Sequence, residues 1–326
     1  MIISDRIYGQ FEITEPLILD LLASPYLKRL GGIDQCGYSS TYYPSEEEKM
    51  TRLEHSIGVY RLLKIYGASL IEQAAGLIHD LSHSAFSHSI DYILEGGDGK
   101  TQHYQDSIFA EFTQKSDIPA ILKKHDIPLD YILEDQNFPL KEKILPDLCA
   151  DRIDYSLRAA FVWEGVRPEK ILGSLKAENN QWFFSDFEAA KEYAELFRLL
   201  NEKYFTSITA GTMHQAVGDY LGYALRQGYI KKEDLYTTDK EVLEKIRPYH
   251  NRDEELQKLS GRMNDKIATA GSHDNYDQAI ELKSRLVDPL FAEQGRLLRF
   301  SEAEPEWKKI LAKELGHKTI YLKFYS

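Results

Sequence analysis

His79-Asp80-Leu81-Ser82-His83-Ser84-Ala85-Phe86-Ser87-His88 sets three histidines and an acid within ten residues. The apolar residues leading into it, Ala74, Leu77, Ile78 and Leu81, follow helical spacing and predict a helix from about Ser69. Residues four apart share a helix face, so His79 and His83 are expected to point into one cleft. Asp80 lies about 100° further round and can join His79 where both sit on a helix edge. Upstream, Leu53, Ile57, Tyr60 and Ile65 predict a helix from Thr51 that carries Glu54-His55. Downstream, Asp147 to Arg158 reads as helical, with Asp151, Asp154, Tyr155 and Arg158 on nearby faces. Five of the ten histidines fall between positions 55 and 103. Any one of them alone is more often an ordinary surface or core residue; it is the cluster that points to a metal. Imidazole and carboxylate together suit a divalent first-row metal, and Asp151 can complete a set of two histidines and two aspartates.

The rest of the chain frames this centre. Ile7, Phe11 and Ile13 alternate around Gly9 and suit a short hairpin over residues 1–14. Helices are predicted after Pro16 and after Ser24-Pro25, the second ended by Gly31-Gly32. Residues 37–50 form a polar loop, and the Gly96-Gly97-Asp98-Gly99 cluster an exposed one. Leu175 and Trp182-Phe183-Phe184 flank Asn179-Asn180 as a second hairpin, and a long helical region covers about 187–227. Residues 250–276 are polar enough to read as a solvated, mobile segment, and Thr319 to Phe324 is a candidate strand. The fold class is therefore mainly α with small β-hairpin additions.

Composition narrows the function. The 326 residues hold 40 Lys+Arg against 52 Asp+Glu, a net charge of -12 that repels a nucleic-acid backbone, while leaving room for a locally positive pocket. Cys36 and Cys149 are too few for a disulfide framework or a cysteine-rich zinc site. No apolar stretch approaches a membrane span, and a cytoplasmic setting is expected.

The motifs in order resemble the HD-domain metal-dependent phosphohydrolases, especially the deoxynucleotide triphosphohydrolase branch. Arg52-Leu-Glu-His55-Ser, His79-Asp80-Leu-Ser-His83-x-x-Phe86-Ser87-His88 and Asp151-Arg-Ile-Asp-Tyr155 are similar to that family's linked segments. The opening from Asp5 to Gly9 through Ser24-Pro25 to Gln35 follows its layout as well. The resemblance covers about residues 1–160 and fades over 187–230. It implies a helical HD fold, with residues 1–170 as catalytic core, 171–235 as a hairpin and helices completing it, and 236–326 as a C-terminal extension. It further implies one divalent ion (manganese, iron, nickel, cobalt, zinc or magnesium) on His55, His79, Asp80 and Asp151. His88 matches the acid that protonates the leaving oxygen, with Asp91 orienting it. His83 and His103 match histidines that contact phosphate, Arg52 an arginine that grips it, and Gln35, Tyr155 and Arg158 residues of the substrate pocket.

Departures bear on the substrate. The acid expected after Arg158 is Ala159, the acid after His103 is Tyr104, and the arginine for distal phosphates falls on Tyr204, with Arg198 or Lys203 as candidate substitutes. Ala23, Lys28 and Gly31 stand where activated relatives bind guanine, so no such activation is expected. The resemblance leaves a deoxynucleoside triphosphate as leading substrate, then a monophosphate or other small phosphomonoester, and a non-catalytic nucleotide sensor as the contrasting case. Relatives commonly self-associate; no residue here demands it.

Overall fold

The computed structural model describes residues 1–43, 49–264 and 269–324. It is mainly helical with small sheets at its margins. Strands β1 (Ile2–Asp5) and β2 (Gly9–Glu12) form the N-terminal hairpin, and α1 (Pro16–Ala23) follows with Pro16 at its first turn. The polar loop holds one helical turn, Ser39–Tyr42; its residues 44–48 lie outside the described residues.

The two helices that face each other across the core are α2 (Arg52–Ile65) and α3 (Leu70–Ile78). Each starts where the sequence supplies a cap: the side chains of Thr51 and Ser69 accept hydrogen bonds from the backbone N–H groups of Glu54 and Glu72. Helix α4 (Tyr104–Gln114) follows, and α5 (Ala150–Glu164) then packs along α2. Hairpin β3 (Leu175–Glu178) and β4 (Gln181–Phe184) precedes α6 (Phe187–Leu200) and α7 (Ile208–Arg226), so the long helical region is two helices with a π turn between.

The predicted helix over 69–81 stops at Ile78. From there the chain tightens into i→i+3 turns, with Leu81 N–H donating to Ile78 O (3.0 Å) and His83 N–H to Asp80 O (3.0 Å). Two serines, weak helix formers, sit in this stretch. Three-residue turns align Asp80 with His83 rather than His79 with His83, which changes the geometry of the centre.

The C-terminal third holds the main surprises. Helix α8 (Asp239–Ile246) is followed by α9 (Glu254–Met263), which buries Leu256, Leu259 and Met263 against α7. Those three apolar residues lie at helical spacing inside a polar sequence, so residues 254–263 are packed rather than solvated; residues 265–268 lie outside the described residues. Strand β9 (Gly316–Phe324) pairs with a short β5 (Thr269–Ala270) on one side and β6 (Gln278–Ser284) on the other. Strands β7 (Leu290–Glu293) and β8 (Arg296–Arg299) extend the β3–β4 hairpin into a four-stranded sheet, β7 running parallel to β4.

One glycine sets how closely α2 approaches α5. A Cβ at Gly58 would come within 2.1 Å of both Arg158 Nη2 and Asp154 Oδ1. Gly58→Ala is therefore expected to destabilise the fold by about 1–3 kcal/mol through overpacking. The urea midpoint measures this, and an unchanged midpoint would show that the helices separate freely.

Candidate metal centre

His55 projects from the first turns of α2, and Asp151 from the first turn of α5. His79 caps the end of α3, and Asp80 follows it. The four meet. His55 Nε2 and His79 Nε2 are 3.2 Å apart; Asp151 Oδ1 lies 2.9 Å from the first and 3.4 Å from the second. Asp80 Oδ1 is 3.4 Å from His79 Nε2.

The far sides of the rings settle what the near sides offer. His79 Nδ1 is 2.7 Å from Gly76 O, which can only accept, so Nδ1 carries the proton. His55 Nδ1 is 2.7 Å from Asp154 Oδ2, a carboxylate held below its usual pKa range. Burial works against that charge, but Arg158 and His55 outweigh it. Both imidazoles therefore turn Nε2 lone pairs toward one point flanked by two carboxylates. Two facing lone pairs repel unless a cation lies between them, so these residues fit a divalent metal; backing each ligand imidazole with an acceptor is the arrangement that fixes such ligands.

Without metal, protons serve as the counter-charge. Burial disfavours a charged His55, yet hydrogen bonds to Asp151 and Asp154 and the nearby Asp80 raise its pKa to about 9. An unfolded histidine titrates near 6.5. A folded pKa above the unfolded one stabilises fully below about 6.5, and that contribution is lost as pH rises through about 9. Each tenfold difference in proton affinity between the folded and unfolded chain is worth about 1.4 kcal/mol, so metal-free protein is expected to lose a few kcal/mol of stability over this window. Thermal melting in chelator reads the loss; a flat profile would contradict the assignment.

Asp154 was visible in the Asp151-Arg-Ile-Asp motif but not as a supporting group. Its two oxygens accept from Tyr8 OH (2.8 Å), Arg158 Nε (2.7 Å) and Arg158 Nη2 (3.2 Å). Arg158 also donates to Asp5 Oδ2 (2.8 Å) and Glu54 Oε1 (3.0 Å) and is fully buried. The expectation that Arg158 touches substrate is therefore corrected. Its nitrogens are taken by three carboxylates behind the centre, and it acts through Asp154 on His55.

Arg52 is likewise buried. Nη1 donates to Asp80 Oδ2 (2.9 Å), Nε to Ser87 Oγ (3.0 Å) and Nη2 to Gln35 O (2.9 Å). Burial alone would lift the Asp80 pKa, but Arg52, His79 and His83 hold it well below the carboxylate range. His83 Nε2 is 3.3 Å from Asp80 Oδ1; burial and Arg52 lower its pKa to about 3, so it stays neutral and donates to Asp80.

His88 enters through a strained turn. Phe86 and Ser87 both have positive φ (60° and 46°), a conformation that costs non-glycine residues of order 1–3 kcal/mol each. Asp239, from α8, accepts from Phe86 N (2.8 Å), and Ser87 Oγ donates to Asp34 O (2.5 Å). The turn swings His88 onto the edge of His83, ring centres 5.1 Å apart. His88 Nδ1 lies 3.2 Å from Asp91 Oδ2, whose other oxygen accepts from Tyr104 N (3.1 Å). Burial and the charges of Arg52, Arg285 and Lys283 push the His88 pKa well down.

His103 stands apart at the rim, mostly exposed, 3.5 Å from Asp106 and 3.2 Å from Lys283 Nζ. Gln35 Oε1 and Tyr155 OH are buried without a hydrogen-bond partner among the described residues; the Tyr155 ring lies 6.5 Å from that of His55. His214 is buried, 3.0 Å from Ser89 Oγ and stacked on Tyr92. Arg198 pairs with Glu202 and Glu314, and Lys203 with Glu164, so neither candidate substitute is free for a phosphate. Lys283, which touches His103, and Arg285, which touches Gln102, both act electrostatically on His88 and come from a stretch that carried no motif.

A helical core that turns two histidines and two aspartates onto one point defines the HD class. Residues 52–159 match the HD domain model. The chain is 33% identical to the uncharacterized protein YdhJ of Bacillus subtilis, covering 99% of each, and 30% identical to the metal-dependent phosphohydrolase cns2 of Cordyceps militaris, covering 89% of this chain and 84% of that one. Deoxynucleoside triphosphate triphosphohydrolase SAMHD1 of Mus musculus is 30% identical over 164 residues, 44% of this chain and 24% of that protein. A solved phosphohydrolase from Bacteroides thetaiotaomicron shares the fold, with a TM-score of 0.69 at 18% identity over 98% of this chain and 99% of that one. The chain belongs to the HD-domain metal-dependent phosphohydrolases. No helix among the described residues is long and apolar enough to cross a membrane.

Proposed function

We propose that the protein hydrolyses phosphate esters of nucleotides, with deoxynucleoside triphosphates, cleaved to nucleoside and triphosphate, as the leading substrates. The observation that carries this reading is the convergence of His55 Nε2 and His79 Nε2 between Asp80 and Asp151, beside the His88–Asp91 pair. A divalent ion held by these four residues would polarise a phosphoryl oxygen as a Lewis acid and would activate a water molecule at neutral pH. The other steps fall to the chain. Arg52 keeps Asp80 ionised and aimed. Asp91 holds Nδ1–H of His88, leaving Nε2 to carry the proton for the leaving oxygen. The cationic field that keeps His88 neutral is offset when an anionic phosphate arrives, so substrate binding itself raises the proton affinity of the acid. Gln35 Oε1 and Tyr155 OH offer polar contacts to the sugar.

A nucleoside monophosphate or other small phosphomonoester is the second reading, and Ala159 weakens the deoxynucleotide assignment without weakening hydrolysis. It is buried against Leu200 and Tyr204 and provides no acid for a sugar hydroxyl. Metal-replete protein incubated with ribo- and deoxynucleoside mono-, di- and triphosphates separates the two, with Asp80→Ala as control. Triphosphate released from deoxynucleotides by wild type alone supports the first reading. Orthophosphate from monophosphates replaces it with the second, and nucleotide binding without turnover overturns both in favour of a sensor.

A further inference from the structure

Strand β6 alternates: Ile280, Leu282 and Ser284 are buried, while Lys283, between them, and Arg285, just beyond the strand end, turn to the opposite face. Two cations two residues apart therefore project together. Arg285 is fixed by Nη2 donating to Gln102 Oε1 (2.7 Å), Nη1 to Lys283 O (3.2 Å) and its backbone N–H to Asn201 Oδ1 (2.9 Å). Lys283 Nζ donates to His103 Nε2 (3.2 Å).

Neither cation forms an ion pair with a carboxylate among the described residues, although the chain has 52 acids to 40 bases. Asp106 attracts Lys283 from a distance but sits closer to His103. The chain of contacts leads inward: His103 precedes Tyr104, whose backbone N–H holds Asp91, which orients His88. Both cations act on His88, and Arg285 also acts on Asp91 and Tyr155. Burial and Arg285 lower the Lys283 pKa to about 8, as expected for like charges held together. An anion with several oxygens would relieve both, and guanidinium beside ammonium suits phosphate.

We propose that Lys283 and Arg285, with His103, form an anion subsite at the mouth of the metal centre that takes a second phosphate of the substrate. This rests on the nucleotide-hydrolase reading of the same cleft and sharpens it: favoured substrates carry at least two phosphates. The C-terminal segment thereby serves specificity as well as packing.

Calorimetric binding of inorganic tripolyphosphate, pyrophosphate and orthophosphate to metal-loaded protein tests this, with excess divalent ion so that the polyanions do not strip the centre. Wild type is expected to prefer tripolyphosphate to orthophosphate. Lys283→Gln and Arg285→Gln are each expected to weaken tripolyphosphate about tenfold or more, with metal content retained and a shallower salt dependence. Arg285→Lys should recover part of the loss, which a merely structural role would not predict. If Arg285→Gln melts below the assay temperature, Lys283→Gln decides. Unchanged tripolyphosphate affinity in the folded Gln variants overturns the subsite. Arg285-dependent binding without hydrolysis of any nucleotide would keep the subsite and discard the hydrolase substrate assignment; nucleotide hydrolysis with equal kcat/KM in wild type and both variants would do the reverse.

Discussion

His55→Ala is expected to lose the metal and to lower phosphate-ester turnover by a factor on the order of 10³ or more. The ring is irreplaceable in this geometry because it is buried, backed by Asp154 and 3.2 Å from the facing nitrogen of His79. Asp154→Asn should behave differently. It leaves all four ligands in place but weakens the backing of His55, so metal affinity should fall about 10–100-fold, with activity recovering at high metal concentration. Metal content by mass spectrometry and turnover against added metal distinguish the two variants. Equal metal content in wild type and His55→Ala would remove His55 from the centre.

Arg158→Met is expected to cost about 3–5 kcal/mol of stability, the penalty for leaving buried charges without their partner. Asp5, Asp154 and Glu54 all meet this one guanidinium, and its side chain is fully buried. Chemical denaturation measures the loss. Arg158→Lys should recover only part of it, because one ammonium cannot reach three carboxylates in a fork. A Met variant as stable as wild type would mean the three acids find protons or water at little cost.

The helical core was legible because apolar spacing is a local signal. The Asp151 and His55 helices follow from that pattern, and the HD resemblance named His55, His79, Asp80 and Asp151 as candidate ligands, side chains that the structure places beside one another. The end of the His79 helix was not legible. A serine-rich run following good helical spacing can continue the helix or tighten into three-residue turns, and here it tightens, which aligns His83 with Asp80. Arg158 illustrates a second limit. Its motif resembled a substrate pocket, but which way a buried arginine points depends on Asp5 and Glu54, contributed by the N-terminal hairpin and α2. Lys283 and Arg285 were invisible because they lie in and just beyond a strand whose partner, β9, is more than thirty residues on. No local pattern reports which face of such a strand looks into a cleft built by the other end of the chain.

On the proposed function, His55, His79, Asp80 and Asp151 hold one divalent ion on which phosphate-ester hydrolysis depends. Titrating chelated, dialysed protein with divalent metal, while following both bound metal and phosphate-ester cleavage, tests it most directly. Activity is expected to rise with bound metal and saturate at one ion per chain, and Asp80→Ala to show neither tight binding nor turnover. Full activity in the metal-free wild type, or saturation unchanged in Asp80→Ala, would contradict it.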